Sequence, residues 1–421
     1  MLLPVTFMQT LANFDAAMKE LYTPGKVDQL IYKDRPLLGM IKKMEKFYGD
    51  VMPIPVYYGN PMGRSAKFAQ AQKRGALEYS KTVKFLLTRV QDYGYVTIDN
   101  ETMEASANDQ GAFLKAKETE IDGIYNSMSD SLAQSIVGSG WGDIGTVGSF
   151  ATNTITLSIT NDVVNFEVGM EVVVAAAVST GNIRAVGSSG NGLIITNVNR
   201  STGVLTFGFN VNDGTNGIPT IANGDTIFNR GDRDESASPT MLRAVGIQSW
   251  VPDADPTATL FLGVDRTKDV TRLGGLRKSV TGLPIEEALI DGAHYANRES
   301  APIDHYVMSP QRFADLVKAL GSKVQFVDVM ATAEVGYRGV KIIGPARDII
   351  CVGDKTIKDT RTYGLTIPSW ELCSLGKAPK PIGGDGLEML RLSNQDGVEC
   401  RIGYYANLKC TAPGKNIVLT H

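Results

Sequence analysis

The chain has 421 residues, of which 43% are hydrophobic and 21% are charged. This balance is typical of a globular protein with a sizeable core, and the length fits two to four structural units. The net charge of −3 gives no overall attraction to nucleic acid. No run approaches the ~18 apolar residues of a membrane span, and the N-terminus has no basic start or small-residue cleavage site. We therefore predict a soluble protein that is not exported.

The N-terminal region, residues 1–47, is predicted to be an arm that contains several short helices. Leu11–Leu21 is amphipathic and ends at Thr23-Pro24-Gly25, and Val27–Tyr32 and Leu37–Met44 follow. Proline and glycine between these runs interrupt helices, so a single long helix is not expected here.

A long ribbon follows the arm. Val51–Tyr58 is predicted to be extended because Pro53 and Pro55 fix their own φ angles and bias the preceding residues toward β geometry. Two prolines allow at best an edge strand. The return strand, Thr82–Val90, alternates apolar and polar residues, so one face needs a cover. The residues of that face are Val83, Phe85 and Leu87.

The ribbon tip, Gly59–Ser80, is predicted to be a loop longer than compact domains usually hold without ordering it on something else. Its candidate contact residues are Arg64, Lys67, Phe68, Lys73 and Arg74. Only Phe68 and Tyr79 flank the cations, whereas surfaces that bind single-stranded nucleic acid usually interleave more aromatic residues. We therefore favour an acidic protein surface over nucleic acid as the partner of the tip.

A helix is predicted from Asn100 to Val137, which at ~1.5 Å per residue would extend about 55 Å. Asp99 and Asn100 suit its N-cap, and Gly111 is a site for a kink. Residues 101–140 carry two Lys/Arg against seven Asp/Glu, whereas residues 51–100 carry seven against three. A basic ribbon followed by an acidic helix suits contacts between neighbouring copies of the chain, although solvated faces explain the charges equally well.

Residues 146 to about 230 are rich in Gly, Asn, Thr and Val, which predicts a separate small barrel or sandwich inserted into the chain. Its predicted strands are Thr154–Ile159, Glu171–Val174, Leu193–Val198 and Val204–Phe209, with a hairpin loop at Asn199–Gly203.

From about Thr240 the pattern alternates between short helices and strands. Ser309 before Pro310 predicts a capped helix that ends at Gly321. The other predicted elements are a helix at Pro284–Asn297, strands at His305–Met308, Val340–Ile343, Ile349–Val352, Thr362–Ile367 and Glu388–Leu392, and a terminal β pair of Val398–Tyr405 with Lys409–Thr411.

Residues that usually support catalysis are scattered. The four cysteines lack CxxC spacing and are predicted to be buried, reduced thiols: Cys351, Cys373, Cys400 and Cys410. There are three histidines, and His305 beside a strand is predicted to be structural. No Gly-Lys step continues as a P-loop, and neither a GxGxxG turn nor a GxSxG elbow occurs. We predict no catalytic residues, no cofactor, no metal and no enzyme activity.

The order of these elements resembles the major capsid proteins of tailed bacteriophages, which have the Hong Kong 97-type fold. The resemblance covers most of the chain, and its most specific phrase is Tyr306–Phe313, a strand that runs into a Pro-started helix. It implies an α+β fold with a small all-β insertion domain. The implied parts are an N-terminal arm (1–47), an E-loop (48–98), a peripheral domain with a spine helix (99–140 and 385–421), an inserted barrel or sandwich (146–232) and an axial α/β domain (233–384).

The resemblance further implies a structural protein that assembles into hexamers and pentamers of an icosahedral head around double-stranded DNA. Implied partners are other copies of the chain, portal protein, packaged DNA without sequence specificity and, as an open alternative, a decoration protein; no membrane is involved. Because Met1 is present and the E-loop starts near residue 48, a separate scaffolding protein is expected. Assembly in the host cytoplasm and a place in the virion follow.

Some relatives crosslink a loop lysine to an asparagine of a neighbour. Lysines are available at the ribbon, but nothing in the sequence identifies the asparagine or an activating carboxylate, so we expect no crosslink. Two other functions stay open at this point: an encapsulin-like compartment that encloses enzymes, and a glycan-binding attachment protein that acts through the β insertion.

Overall fold

A computed structural model describes residues 35–77, 79–101, 116–187, 192–236, 238–321, 326–330, 336–382, 389–392 and 396–421. The predicted arm helices before residue 35 and the first part of the predicted long helix, including Gly111, lie outside these residues.

The described strands form two open sheets, a two-stranded hairpin and a closed barrel. The helices are α1 (Pro36–Met40), α2 (Phe68–Gly75), α3 (Ala116–Val137), α4 (Ile247–Trp250), α5 (Val270–Gly274), α6 (Ile285–Arg298) and α7 (Pro310–Leu320). The strands are β1 (Lys42–Met44), β2 (Val51–Gly59), β3 (Lys81–Thr88), β4 (Val90–Asp99), β5 (Asp143–Ala151), β6 (Thr154–Leu157), β7 (Glu171–Ala175), β8 (Leu193–Asn199), β9 (Val204–Phe207), β10 (Thr226–Asn229), β11 (Leu276–Ser279), β12 (His305–Met308), β13 (Phe326–Met330), β14 (Gly336–Ile343), β15 (Asp348–Gly353), β16 (Arg361–Leu365), β17 (Trp370–Ser374), β18 (Lys380–Pro381), β19 (Met389–Arg391), β20 (Gly397–Cys410) and β21 (Ile417–Thr420).

The six-stranded sheet is built around β20, which pairs with β17, β18 and β19 and, antiparallel along the whole length of β4, with β4. Helix α3 covers one face of this sheet. It approaches so closely at Gly94 that a side chain there would lie 2.8 Å from Ile124. Over its described part, the helix buries an apolar stripe against this sheet, which includes Met128, Leu132 and Ile136.

Six strands close into a barrel in the order β10-β5-β6-β9-β8-β7. Its interior is filled by apolar side chains, as in other small barrels. Fully buried examples are Ile155, Phe166, Leu205, Phe207 and Ile227. The predicted hairpin between β8 and β9 is confirmed, with Gly203 at a φ of 68° in the turn.

The seven-stranded sheet has the order β11-β21-β16-β12-β15-β14-β13. Helix α7 has the predicted ends, and the Ser309 side chain accepts a hydrogen bond from the Arg312 amide. Helix α6 packs on the same sheet, where the Tyr306 hydroxyl donates to the Leu289 carbonyl at 2.9 Å.

The predicted terminal β pair is wrong. Strand β20 continues unbroken to Cys410, because Asn407 is buried and its side chain donates to the Thr88 carbonyl instead of forming a turn. The chain turns only at Pro413–Lys415, and β21 then joins the seven-stranded sheet between β11 and β16.

Two local predictions near the ribbon also need correction. The predicted helix Leu37–Met44 ends at Met40, and Lys42–Met44 instead pairs in parallel with β17. The return strand of the ribbon ends at Thr88 instead of Val90, because Val90 begins β4, which pairs with β20.

The barrel meets the rest of the chain at a buried polar cluster centred on Arg243. This guanidinium lies 2.6 Å from Asp92 of β4 and 3.4 Å from Asp232, where the chain leaves the barrel. It also donates to the Ser135 hydroxyl of α3 at 2.8 Å. The Tyr404 hydroxyl of β20 donates to Asp92 at 3.0 Å, so one cation connects the sheet, the long helix and the barrel exit.

Replacing Arg243 with Leu should therefore destabilise the fold strongly. Removal of the cation leaves two carboxylates in a buried site without a counter-charge, which costs about 3–5 kcal/mol of unfolding free energy. Urea denaturation measures the change. The matched control is Lys318→Leu, which removes an exposed ion pair with Asp315 and should cost less than about 1 kcal/mol. Equal losses in the two variants would contradict the role of Arg243.

Candidate assembly surface

The ribbon is a two-stranded hairpin that pairs with no other strand in the described part of the chain. Strands β2 and β3 run antiparallel from the pair Val51 and Thr88 to the pair Gly59 and Lys81. An isolated hairpin is marginally stable in water, so it needs support from the body of the protein.

Apolar packing holds the base of the hairpin. The predicted apolar face of the return strand is confirmed, since Phe85 and Leu87 are fully buried and Val83 is half-buried. The Phe85 ring meets the edge of Trp250 at a centroid distance of 5.1 Å, and Trp250 meets Phe261 at 5.2 Å. Such aromatic pairs add about 0.5–1.5 kcal/mol each to the effect of burial.

Hydrogen bonds also hold the base. The Leu86 amide donates to the Leu262 carbonyl at 2.9 Å. The Arg272 guanidinium donates to the Tyr58 carbonyl at 2.6 Å, and the Arg89 guanidinium donates to the Phe47 carbonyl at 2.8 Å. The hairpin therefore leaves the body at a fixed angle.

The tip has the opposite character. Helix α2 lies there and buries none of its residues. Phe68 is 82% exposed, Leu77 73% and Met62 64%. A helix of eight residues is too short to be stable alone in water. A tip with exposed large apolar side chains and an uncovered short helix has the features of a protein contact surface.

All five candidate contact residues lie at this tip and are exposed: Arg64, Lys67, Phe68, Lys73 and Arg74. Residues 60–77 include four cations and no carboxylate. Lys73 and Arg74 occupy the last turn of α2, where the helix dipole favours positive charge. The prediction of a loop was wrong for residues 68–75; the helix-forming run Ala69-Gln70-Ala71-Gln72-Lys73 was the missed signal.

Helix α3 carries carboxylates that complement the tip. Asp122 is exposed, and Glu120 is half-buried. Burial raises the pKa of Glu120 above its usual range. The partly buried Ile121 packs against the core beside them. This part of α3 therefore offers acidic groups next to apolar surface.

The remaining titratable groups have structural surroundings. All four cysteines are free and buried, which confirms that prediction, and burial raises the pKa of the Cys373 thiol to about 11. His305 Nδ1 lies 2.9 Å from an Asp304 oxygen. Burial lowers the pKa of His421 to about 4, so its ring is neutral at pH 7. Within the described ranges, no helix is long and apolar enough to cross a membrane.

The contrast between base and tip predicts different costs for the same substitution. Phe85→Ala should lower the unfolding free energy by about 3–5 kcal/mol, because it leaves a cavity beside Trp250. The matched control Phe68→Ala at the exposed tip should stay within about 0.5 kcal/mol of the unaltered chain. Chemical denaturation of the unassembled chain checks both, and a large loss from Phe68→Ala would show that the tip packs within its own chain.

No family model and no curated protein matches the chain. Among solved structures, it is similar to a chain of the cyanophage A-1(L) capsid asymmetric unit, with 10% identity, a TM-score of 0.50 and 96% of each chain covered. A capsid chain of an empty GTA particle has 8% identity and a TM-score of 0.48, covering 96% of this chain and 95% of that one. The SrpI encapsulin of Synechococcus elongatus PCC 7942 has 8% identity and a TM-score of 0.44, covering 99% and 96%.

The GTA and encapsulin scores lie below 0.5 and support no conclusion. The likeness to the cyanophage capsid chain extends over nearly the whole of both chains and concerns the fold. The chain thus has the fold of a tailed-phage major capsid protein, which confirms the resemblance inferred from the order of its elements.

Proposed function

We propose that the chain is the major capsid protein of a tailed phage, a structural subunit that assembles into hexamers and pentamers of an icosahedral head. The observation that carries this proposal is the β2–β3 hairpin. Its base is locked into the core by Phe85 and Trp250, while its tip presents apolar and basic side chains outside that core. A second copy of the chain supplies the missing cover.

The parts of the fold take the following roles in this proposal. The hairpin is the E-loop, α3 is the described part of the spine helix, and the six-stranded sheet belongs to the peripheral domain. The seven-stranded sheet is the axial domain, and it includes β21. The barrel is an insertion between the end of α3 and Arg243.

A closed shell follows from repetition of modest contacts. Each interface of about 1,000 Å² would be moderate alone, but symmetry and multivalency make the assembly stable. The net charge of −3 suits a container that admits double-stranded DNA without tight adhesion, because strong DNA binding needs many cations at the phosphates.

We assign the partner of the tip to the α3 face of a neighbouring copy. Four cations at residues 60–77 meet Asp122 and the half-buried Glu120 in this arrangement. Phe68 and Leu77 would pack beside the apolar surface at Ile121. Complementary charges of this kind fix which surfaces meet and speed their encounter.

The wider setting belongs to the same proposal: a separate scaffolding protein, a portal protein, assembly in the host cytoplasm and a final place in the virion, with a decoration protein as an open alternative. Apolar side chains fill the interior of the barrel, so the attachment-protein alternative has no support from a site inside the barrel.

Charge reversal at the tip tests the assigned contact. Lys73→Glu with Arg74→Glu should abolish shells at concentrations at which the unaltered chain forms them, because like charges across an interface cost several kcal/mol. Electron microscopy after co-expression with the scaffolding protein measures shell formation. Adding Asp122→Lys to the reversed chain should restore part of the assembly.

The matched control is Lys73→Arg with Arg74→Lys, which keeps both charges and should assemble normally. Thermal unfolding of the unassembled chain should be unchanged in every tip variant, because α2 buries no residue. Deletion of Ala66–Gly75 tests the tip more severely, because it removes the whole of α2. Normal shells from the deletion variant would refute the role of the tip between subunits.

The contents of purified particles separate the phage head from the encapsulin-like compartment. We expect nuclease-protected double-stranded DNA in particles recovered from infected cells. Particles that contain enzymes and lack DNA would overturn the phage assignment and leave the shell fold intact.

A further inference from the structure

A cavity of about 330 Å³ lies where the barrel, the end of α3 and the seven-stranded sheet meet. Its apolar wall includes Val137 of α3, Ile144 and Val163 of the barrel side, and Ile357. Val164 also lines it and is 45% exposed, so the cavity is open to solvent. The wall and the opening give it the form of a small-molecule site.

A buried carboxylate lines this cavity. Asp162 lies in the short 3₁₀ helix Thr160–Asn165 and is only 5% exposed. Within the described residues, no group donates a hydrogen bond to its side chain. Burial raises the pKa of Asp162 to about 6, opposed by the charge of Lys358. An ionised carboxylate without a partner in such a place is costly, and a bound cation would remove that cost.

The cations around the cavity already form ion pairs. Lys355 shares Asp130 with Arg35, at 2.8 and 2.9 Å, and the other pairs are Lys358 with Asp143 at 3.2 Å, Arg200 with Glu167 at 2.9 Å, and Arg361 with Asp253. Asp359 accepts a hydrogen bond from the Asn161 side-chain amide but has no ion-pair partner in the described part of the chain. Asp162 and Asp359 are therefore the carboxylates of the cavity wall that form no ion pair within the described residues.

We propose that this cavity binds an organic cation through a primary ammonium or guanidinium group. The charged group lies against Asp162 and Asp359, and an attached alkyl chain packs on Val137, Val163 and Ile357. No set of three or more His, Cys, Asp or Glu side chains in the described residues is arranged to hold a metal ion. The cation is either a free amine or a Lys or Arg side chain of a second copy.

The site belongs to one chain, so binding is testable before assembly. Calorimetric titration of the unassembled full chain with n-butylammonium chloride at about pH 8 should give saturable binding, whereas 1-butanol, which has the same alkyl chain without the charge, should not bind. Equal heats from the two compounds would overturn the proposal.

Asp162→Asn should abolish this binding, and the exposed control Glu287→Gln on α6 should retain it. Asp162→Asn should also raise the unfolding temperature at about pH 8, because the unaltered chain loses stability as pH rises from about 4 to the raised pKa of about 6; the gain should vanish below about pH 4. Unchanged binding in Asp162→Asn would refute the site.

The pH dependence of the unaltered chain gives a test without any substitution. Lys358, Arg361, Asp143 and Asp359 face Asp162. Asp162 is protonated below about pH 6, so affinity at about pH 5 should be about tenfold lower than at pH 8. Equal affinity at the two pH values would count against Asp162 as the binding group.

Titration of assembled particles distinguishes the two sources of the cation. Binding by particles as strong as by the unassembled chain identifies a free amine as the natural occupant. Loss of binding on assembly, with Asp162 intact, identifies a basic side chain of a second copy. Absence of binding in the unassembled chain overturns the proposal for both sources.

Discussion

The body of this protein depends on one buried guanidinium. Arg243 contacts carboxylates from β4 and from the barrel exit, together with a hydroxyl of α3. Burial raises the pKa of Asp232 even though Arg243 opposes the shift. The attraction of Arg243 therefore offsets only part of the cost of burying this carboxylate. A buried ion network of this kind adds modest net stability, but it penalises every arrangement that leaves one member unpaired. It thereby fixes where the sheet, the long helix and the barrel meet.

The hairpin extends from this body and has two regions with different roles, a base that packs in the core and a tip that does not. Phe85 and Leu87 at the base belong to the folding core, whereas Phe68 at the tip contributes nothing to it. Natural monomers rarely keep several large apolar side chains exposed together unless another surface covers them. Residues 60–77 of the tip carry four cations and no carboxylate. In the proposed assembly, these like charges keep free subunits apart at the tip until a surface with carboxylates is presented.

Local signals in the sequence predicted much of this fold, and long-range pairing defeated the rest. The alternation at Phe85 and Leu87 and the Ser309 cap are properties of a few adjacent residues, and both were correct. The partner of β4 and the place of β21 depend on Asn407, which looks like a turn residue but is buried and hydrogen-bonded. The contact residues of the tip were predicted from a cluster of cations with Phe68 beside them, and that cluster is local in sequence. Asp162, by contrast, lies near Lys358 and Arg361, which are about 200 residues away in sequence, and no local pattern predicts that proximity.

The barrel contacts the body at two charged sites, which differ in how their cations and carboxylates are paired. At Arg243, one cation forms ion pairs with two carboxylates that also accept hydrogen bonds. The chain leaves the barrel at the same place. At the cavity, the surrounding cations form ion pairs, whereas Asp162 and Asp359 form none within the described residues. The buried Asp162 carboxylate lowers stability as pH rises toward its raised pKa of about 6, and the loss persists at higher pH. In the proposal above, a bound cation offsets this loss and so stabilises the contact between barrel and body. The join at Arg243, by contrast, is complete within the chain.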